Sequence, residues 1–110
     1  MRKVVLEVIM ERILENIKTE YDKLSDEVKQ PLNTWINSLK QSDEYNYNHT
    51  SIGLSQQFEI ISMSLFGKPF CVSNDQFKYA MYINGFEPDA YEDYSWCFKI
   101  DEKQDFNWSE

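Results

Sequence analysis

Few side chains in this sequence are of the types that catalyse reactions. The single histidine, His49, stands in a polar stretch, while Cys71 and Cys97 lie far apart among apolar neighbours. A cysteine nucleophile needs surroundings that lower its pKa, and apolar flanks act in the opposite direction. Two buried free thiols are therefore the preferred interpretation, with a disulfide or a cysteine nucleophile paired to His49 as alternatives. The sequence predicts no catalytic residue.

Metal and cofactor sites are equally poorly supported. Asp89, Glu92 and Asp93 offer carboxylate oxygens to a divalent cation, but they lack the alternating acidic spacing and central glycine of a calcium loop. The three glycines lie too far apart to build a phosphate-binding loop. We therefore expect no metal site and no cofactor. The protein is not expected to be an enzyme, although a small enzyme that uses a pair of carboxylates stays an alternative.

The residues with the strongest functional pattern are acidic and aromatic. Residues 86–110 contain eight acidic and seven aromatic side chains but only two lysines. Carboxylates offer charge to a basic partner and rings offer contact area, so this pattern predicts binding to a protein. Within it, Trp96 and Phe98 fit a core strand. The predicted partner-binding residues are Asp89, Tyr91, Glu92, Asp93, Tyr94, Asp101, Glu102, Asp105, Phe106 and Trp108.

Charge is divided unequally along the chain. Residues 1–40 hold seven basic and seven acidic side chains, whereas residues 41–110 hold four lysines and twelve acids, which accounts for the net charge of −8. Such a chain repels nucleic acid, so direct nucleic-acid binding is not expected. No run of apolar residues reaches the length of a membrane span, and we expect a protein of the cytoplasm.

These features together favour a small acidic inhibitor. The hypothesis is a bacterial immunity (antitoxin) protein that neutralises a basic nuclease-type toxin through an acidic-aromatic surface. One alternative is a phage-type nucleic-acid mimic or another anti-defence inhibitor. Others are a small enzyme and an oligomerisation module, since the apolar stripe of residues 6–17 is suited to pairing with another chain. An ordinary domain kept soluble by its charge is the plainest explanation of the same composition.

The first part of the chain has helical periodicity. Apolar residues recur at three- and four-residue spacing over residues 6–21, and again from Val28 to Leu39. The second helix is expected to begin either near Asp26, after a cap at Ser25, or at Pro31, where a proline fits the first turn. Residues 41–53 are polar and are predicted to form a linking loop.

The second part fits strands better by composition. Residues 58–66 and 70–73 flank a Gly-Lys-Pro turn, residues 76–83 precede Asn84-Gly85, and residues 94–101 alternate in polarity. Helices remain the rivals for two of these segments, because Leu54, Phe58, Ile61 and Leu65 form a stripe and Ser73 begins a capping-box pattern. The prediction is one α+β domain over residues 1–110. Two N-terminal helices (1–40) pack on an antiparallel sheet of about four strands, with 54–110 mainly strands.

Overall fold

Two helices form the N-terminal part of the protein. In the computed structural model, which describes residues 2–101, α1 spans Arg2–Tyr21 and α2 spans Asp26–Asn37. Ser25 is the N-cap residue of α2, and Pro31 lies inside the helix. Of the two predicted starts of this helix, the one near Asp26 is therefore correct.

The polar segment after α2 is a strand and not the predicted loop. β1 spans Gln41–Thr50 and pairs antiparallel with β2, Cys97–Ile100, with Gln41 opposite Ile100 and Thr50 opposite Cys97. Ten residues of β1 face four of β2, and the register shifts twice between these pairs. The polar composition of these residues does not predict a strand, because the strand pairs through backbone groups and most of its side chains are not buried.

The segment predicted to be a strand, a turn and a second strand contains a long helix. α3 spans Ser51–Phe66, begins after Thr50, whose hydroxyl accepts from the Gly53 amide at 3.2 Å, and ends at Gly67. Gly67 has a φ of 76°, the left-handed conformation that closes a helix and that glycine adopts without strain. The strand predicted for residues 58–66 is wrong, because two capped ends and an apolar stripe outweigh β-branched composition.

A second expected strand is also a helix. α4 spans Asn74–Ile83 and opens with a complete capping box: the Ser73 hydroxyl accepts from the Gln76 amide at 3.1 Å, and the Gln76 side chain accepts from the Ser73 amide at 2.9 Å. Asn84 ends the helix with a negative φ, so Asn84-Gly85 does not form the predicted type I′ hairpin turn.

The described residues form a single compact α+β domain of four helices and a two-stranded antiparallel sheet. The class matches the prediction, whereas a four-stranded sheet and a mainly stranded second part do not. α1 packs mainly against α4 and not against a sheet. Among residues 2–101, no helix combines the length and the apolar character required to cross a membrane.

The core lies where the four helices and β2 meet, and α1 contributes Ile17 and Tyr21 to it. Its largest buried side chains are aromatic: Trp35 contacts the rings of Phe58 and Phe77 at centroid distances of 5.8 and 6.2 Å, and Trp96 contacts Phe98 at 6.3 Å. Trp96 and Phe98 are fully buried, as predicted from their strand pattern. This core fixes both ends of the segment that joins α4 to β2.

Candidate functional site

The segment between α4 and β2 carries the densest acidic charge in the described part of the chain. Residues 87–95, here called the acidic loop, read EPDAYEDYS and contain four acidic side chains and no basic one. No helix or strand is formed there. The conformation of the loop must therefore come from contacts with the rest of the domain.

One anchor joins the start of the acidic loop to β2. The Asp89 amide donates to the Cys97 carbonyl oxygen at 3.1 Å, and the Asp89 Oδ1 accepts from the Cys97 amide at 2.9 Å. A carboxylate that accepts from a backbone amide makes one of the stronger hydrogen bonds available to a protein. Asp89 therefore closes the loop onto the first residue of β2.

A second anchor lies at Trp96, directly after the loop. Its indole Nε1 donates to the Tyr91 carbonyl oxygen at 3.1 Å, and its ring meets the Tyr91 ring edge-on at a centroid distance of 5.5 Å. The Trp96 amide donates to the Ser51 hydroxyl at 2.9 Å, and its carbonyl oxygen accepts from the Ser51 amide at 2.7 Å. The centre of the loop is thus tied to the fully buried Trp96, whose backbone is in turn bonded to Ser51 at the start of α3.

The third anchor comes from α4 beneath the loop. The Lys78 ammonium donates to the Asp93 carbonyl oxygen at 2.9 Å and lies 4.9 Å from the centre of the Trp96 ring. Lys78 is only 5% exposed, and burial lowers its pKa, while the charges of Asp75 and Asp93 act in the opposite direction. Nearby, the Asn74 Nδ2 donates to the Tyr94 carbonyl oxygen at 2.7 Å.

The outer side of the acidic loop consists of carboxylates and one ring. Glu87, Glu92 and Asp93 are exposed, and the Tyr94 side chain is 80% exposed. The backbones of Asp93 and Tyr94 are held by α4, so these two side chains project from a fixed support. The arrangement can present negative charge and aromatic area to a partner without first ordering the loop.

The structure assigns different positions to the residues predicted to bind a partner. Glu92, Asp93 and Tyr94 share the outer side of the loop. Asp89 and Tyr91 are half-buried and serve as anchors. Asp101 follows β2 at the opposite end of the strand, where its amide donates to the Lys40 carbonyl oxygen at 2.9 Å. Four predicted residues lie outside the described part of the chain: Glu102, Asp105, Phe106 and Trp108.

A cleft next to the loop contains residues that the sequence did not single out. Tyr45 of β1, Tyr82 of α4, Glu87 and Lys99 line this cleft, which has a volume of about 580 Å³. The sequence predicts a loop over residues 41–53 and a strand over residues 76–83, and neither prediction brings Tyr45 and Tyr82 to one cleft. The available signal was the charge excess, which begins at residue 41 and not at residue 86.

The two cysteines differ in burial and in their contacts. Both thiols are free; Cys97 is buried as expected, but Cys71 is exposed, which contradicts the prediction of two buried thiols. Cys71 donates to the Glu59 carboxylate at 2.8 Å, and this hydrogen bond raises the pKa of the thiol. Burial raises the pKa of the Cys97 thiol. His49 is half-buried in β1.

Two further findings complete the description of the site. No group of three or more histidine, cysteine, aspartate or glutamate side chains within residues 2–101 is arranged to hold a metal ion. Comparisons with protein-family models, with curated proteins and with solved structures give no match. The interpretation of the acidic loop therefore comes from its own residues and contacts.

Proposed function

We propose that this protein is a small inhibitor that binds a basic protein through the acidic loop. The preferred assignment is a bacterial immunity (antitoxin) protein that acts in the cytoplasm against a basic nuclease-type toxin. It works by binding, without catalysis, a cofactor or direct contact with nucleic acid. The observation that carries the proposal is an acidic loop with an exposed outer side and a backbone anchored from the core.

The anchoring contacts support binding because they lower the cost of ordering the loop. Asp89, Tyr91, Asp93 and Tyr94 each use a backbone or side-chain oxygen to accept a hydrogen bond from the domain. A surface that is ordered before binding loses less conformational entropy when its partner arrives. For an inhibitor that must act soon after its target is made, this preorganisation is useful.

Charge supports the same proposal. Glu87, Glu92 and Asp93 lie on a loop with no basic side chain of its own, and exposed carboxylates attract a basic surface over distances of about 8 Å at physiological salt. Tyr94 adds a ring of the type that is enriched in protein interfaces. A patch of this size fits a localised contact better than it fits a mimic of a nucleic-acid duplex, which needs acids along an extended face.

The test is protection of growth by charge-reversed variants. The protein is co-expressed with a basic, toxic nuclease encoded beside its gene, and Glu92→Lys with Asp93→Lys is compared with wild type. Protection should be lost, because two carboxylates at the centre of the loop become cations. The matched control is Glu11→Lys with Glu15→Lys, which makes the same change of charge on exposed positions of α1.

The control variant should protect as well as wild type. Circular dichroism of both purified variants establishes that each retains its helices. Full protection by the folded Glu92→Lys, Asp93→Lys variant would remove the acidic loop from the proposed interface. Equal loss of protection in both variants would show that protection depends on net charge and not on the position of the charges in the acidic loop.

A further inference from the structure

The cleft beside the acidic loop combines aromatic walls with a carboxylate. Tyr45 and Tyr82 are half-buried and approach from different elements, while the exposed Glu87 stands where the acidic loop begins. The volume of about 580 Å³ is within the range of sites that enclose small ligands or a large side chain. Rings and a carboxylate together are suited to a cation that also has flat or apolar surface.

A cation already rests against one wall of the cleft. The Lys99 ammonium lies 5.1 Å from the centre of the Tyr45 ring, within the distance of a cation–π contact. Lys99 is exposed, so its side chain is free to turn toward solvent when another cation arrives. The position of this ammonium indicates that the Tyr45 ring is accessible to a positive group from the cleft side.

The field around the cleft favours positive charge. The pKa of Tyr91, whose ring meets the Tyr82 ring at a centroid distance of 6.4 Å, is raised by burial first and then by the charge of Glu87 and by Tyr82 and Tyr45. The Glu87 carboxylate therefore lies close enough to act on Tyr91, whose ring contacts the Tyr82 wall of the cleft. Glu92 and Asp93 of the same loop add further negative charge.

Among biological cations, arginine fits this combination best. Its guanidinium is planar, stacks on aromatic rings, and donates two parallel hydrogen bonds to one carboxylate. A lysine ammonium is compact and strongly hydrated, and gains less from the second ring. The tyrosine hydroxyl of Tyr45 is already used, since it donates to the Pro88 carbonyl oxygen at 3.4 Å, so the ring and not the hydroxyl is offered to the ligand.

We propose that this cleft receives an arginine side chain of the basic partner, with the guanidinium against Tyr45 and Tyr82 and hydrogen-bonded to the Glu87 carboxylate. The inference deepens the proposed function and rests on it, since the arginine belongs to the same partner. It adds a specific subsite to a surface that otherwise attracts any cation. Arginine is thereby selected over lysine at one position of the interface.

The test uses a small probe and does not require the toxin. Backbone amide NMR signals are followed while the blocked tripeptide acetyl-Gly-Arg-Gly-amide is added, with acetyl-Gly-Lys-Gly-amide as the matched probe. The arginine peptide should shift the signals of Tyr45, Tyr82 and Glu87 and bind more tightly than the lysine peptide. Glu87→Gln should weaken this binding by about threefold, whereas Glu92→Gln should change it less.

Each outcome bears on the proposal, and the spectra also establish that the variants are folded. Shifts confined to Glu92, Asp93 and Tyr94 would overturn the arginine subsite and leave the acidic loop as the binding surface. Equal binding of both peptides in the cleft would overturn the selection of arginine. No shifts in the cleft would also overturn the subsite, while growth protection tests the proposed function independently.

Discussion

The carboxylate of Asp89 is used by the fold itself. Its Oδ1 accepts from the Cys97 amide, and the Asp89 amide returns a hydrogen bond to the Cys97 carbonyl oxygen. A partner that bound this carboxylate would have to replace a charge-assisted hydrogen bond to the backbone. At the scale of the residue, acids of one short loop thus divide into an anchor, Asp89, and the exposed Glu87, Glu92 and Asp93.

Cys71 is exposed to solvent, but its thiol is expected to react slowly. The thiol is exposed, yet it donates to Glu59 at 2.8 Å, and this hydrogen bond raises its pKa. The thiolate is the reactive form, so we expect slow reaction with a disulfide reagent such as Ellman's reagent near neutral pH. Glu59→Gln removes the negative charge and should increase the rate at Cys71 several-fold.

Cys97 provides the internal control for that measurement. It is buried, and the charges that act on its thiol are those of Asp89 and Asp93, so its reaction rate should be unchanged in Glu59→Gln. A Cys97→Ser background isolates the signal of Cys71. Identical rates at Cys71 with and without the Glu59 charge would contradict the role given to this carboxylate.

At the scale of elements, the capped ends of α3 and α4 distinguish a helix from a strand where composition does not. The apolar stripe of α3 was visible in the sequence, as was the capping box that begins with Ser73, but short apolar runs fit a strand as well as a helix. Gly67 in the left-handed conformation and two capped N-termini settle both segments as helices. α1, α2 and β2 were predictable because their periodicity extends over a whole element.

β1 and the acidic loop were not predictable to the same extent. β1 has a polar sequence and pairs with a strand about fifty residues away. No local sequence pattern therefore predicts a strand there. The acids of the loop are evident in the sequence, but its anchors come from Lys78 and Asn74 of α4 and from Trp96, which directly follows the loop. Contacts between distant residues determine which acid faces outward, and a single sequence does not contain them.

The capping box of α4 should contribute measurable stability. Ser73→Ala removes the side chain that accepts from the Gln76 amide and leaves that donor without its cap. Loss of such a cap costs about 1 kcal/mol, and the melting temperature of a domain of this size should fall by about 4–8 °C. Ser64→Ala is the matched control, because Ser64 is exposed inside α3. Equal melting temperatures for the two variants would contradict the assignment.

Lys78 should control the order of the acidic loop more than the stability of the domain. Lys78→Met keeps most of the apolar stem but removes the donor to the Asp93 carbonyl oxygen. The variant loses the stabilisation of this hydrogen bond, but it also loses the desolvation cost of burying an ammonium. These two contributions oppose each other, so the free energy of global unfolding should change little. Hydrogen exchange of the Asp93 amide, which donates to Ala90, should accelerate by about tenfold.

The matched variant for this experiment is Lys99→Met, which removes an exposed lysine from β2. It should leave exchange in residues 90–95 as slow as in wild type. If Lys78→Met exchanged at the wild-type rate, the ammonium would not be what holds this part of the loop. A large loss of global stability would instead assign Lys78 to the core.

At the scale of the whole molecule, the two parts of the chain differ in how charge is placed. On α1 and the turn that follows, opposite charges pair at short range, as in Lys18 with Asp22 at 2.7 Å and Lys23 with Glu20 at 2.8 Å. The acidic loop itself contains no basic side chain, although the Lys78 ammonium approaches it from α4. Four acidic side chains are therefore gathered within nine residues of the described chain, and contacts from α4, α3 and β2 hold this loop in place.

The dependence of stability on alkaline pH should test whether the Cys97 thiol of β2 is shielded from solvent in the folded protein. Burial raises the pKa of Cys97 above its ordinary value of 9.0, so above pH 9 the unfolded chain loses this proton while the folded protein keeps it. The contribution of the thiol to stability is therefore present below pH 9 and is lost as the pH rises. The loss is at most about 1.4 kcal/mol per pH unit for one thiol.

Other groups titrate in the same range, so the measurement is a difference between two proteins. The pKa of Tyr91 is raised and acts like Cys97, whereas the lowered pKa of Lys78 makes stability rise as the pH approaches 10.5. Both effects are shared by wild type and Cys97→Ser. Urea unfolding of the pair should give a constant difference in free energy from pH 6 to 8. From pH 8 to 10 wild type should lose stability relative to the variant, and a constant difference there would mean that solvent reaches the Cys97 thiol in the folded protein.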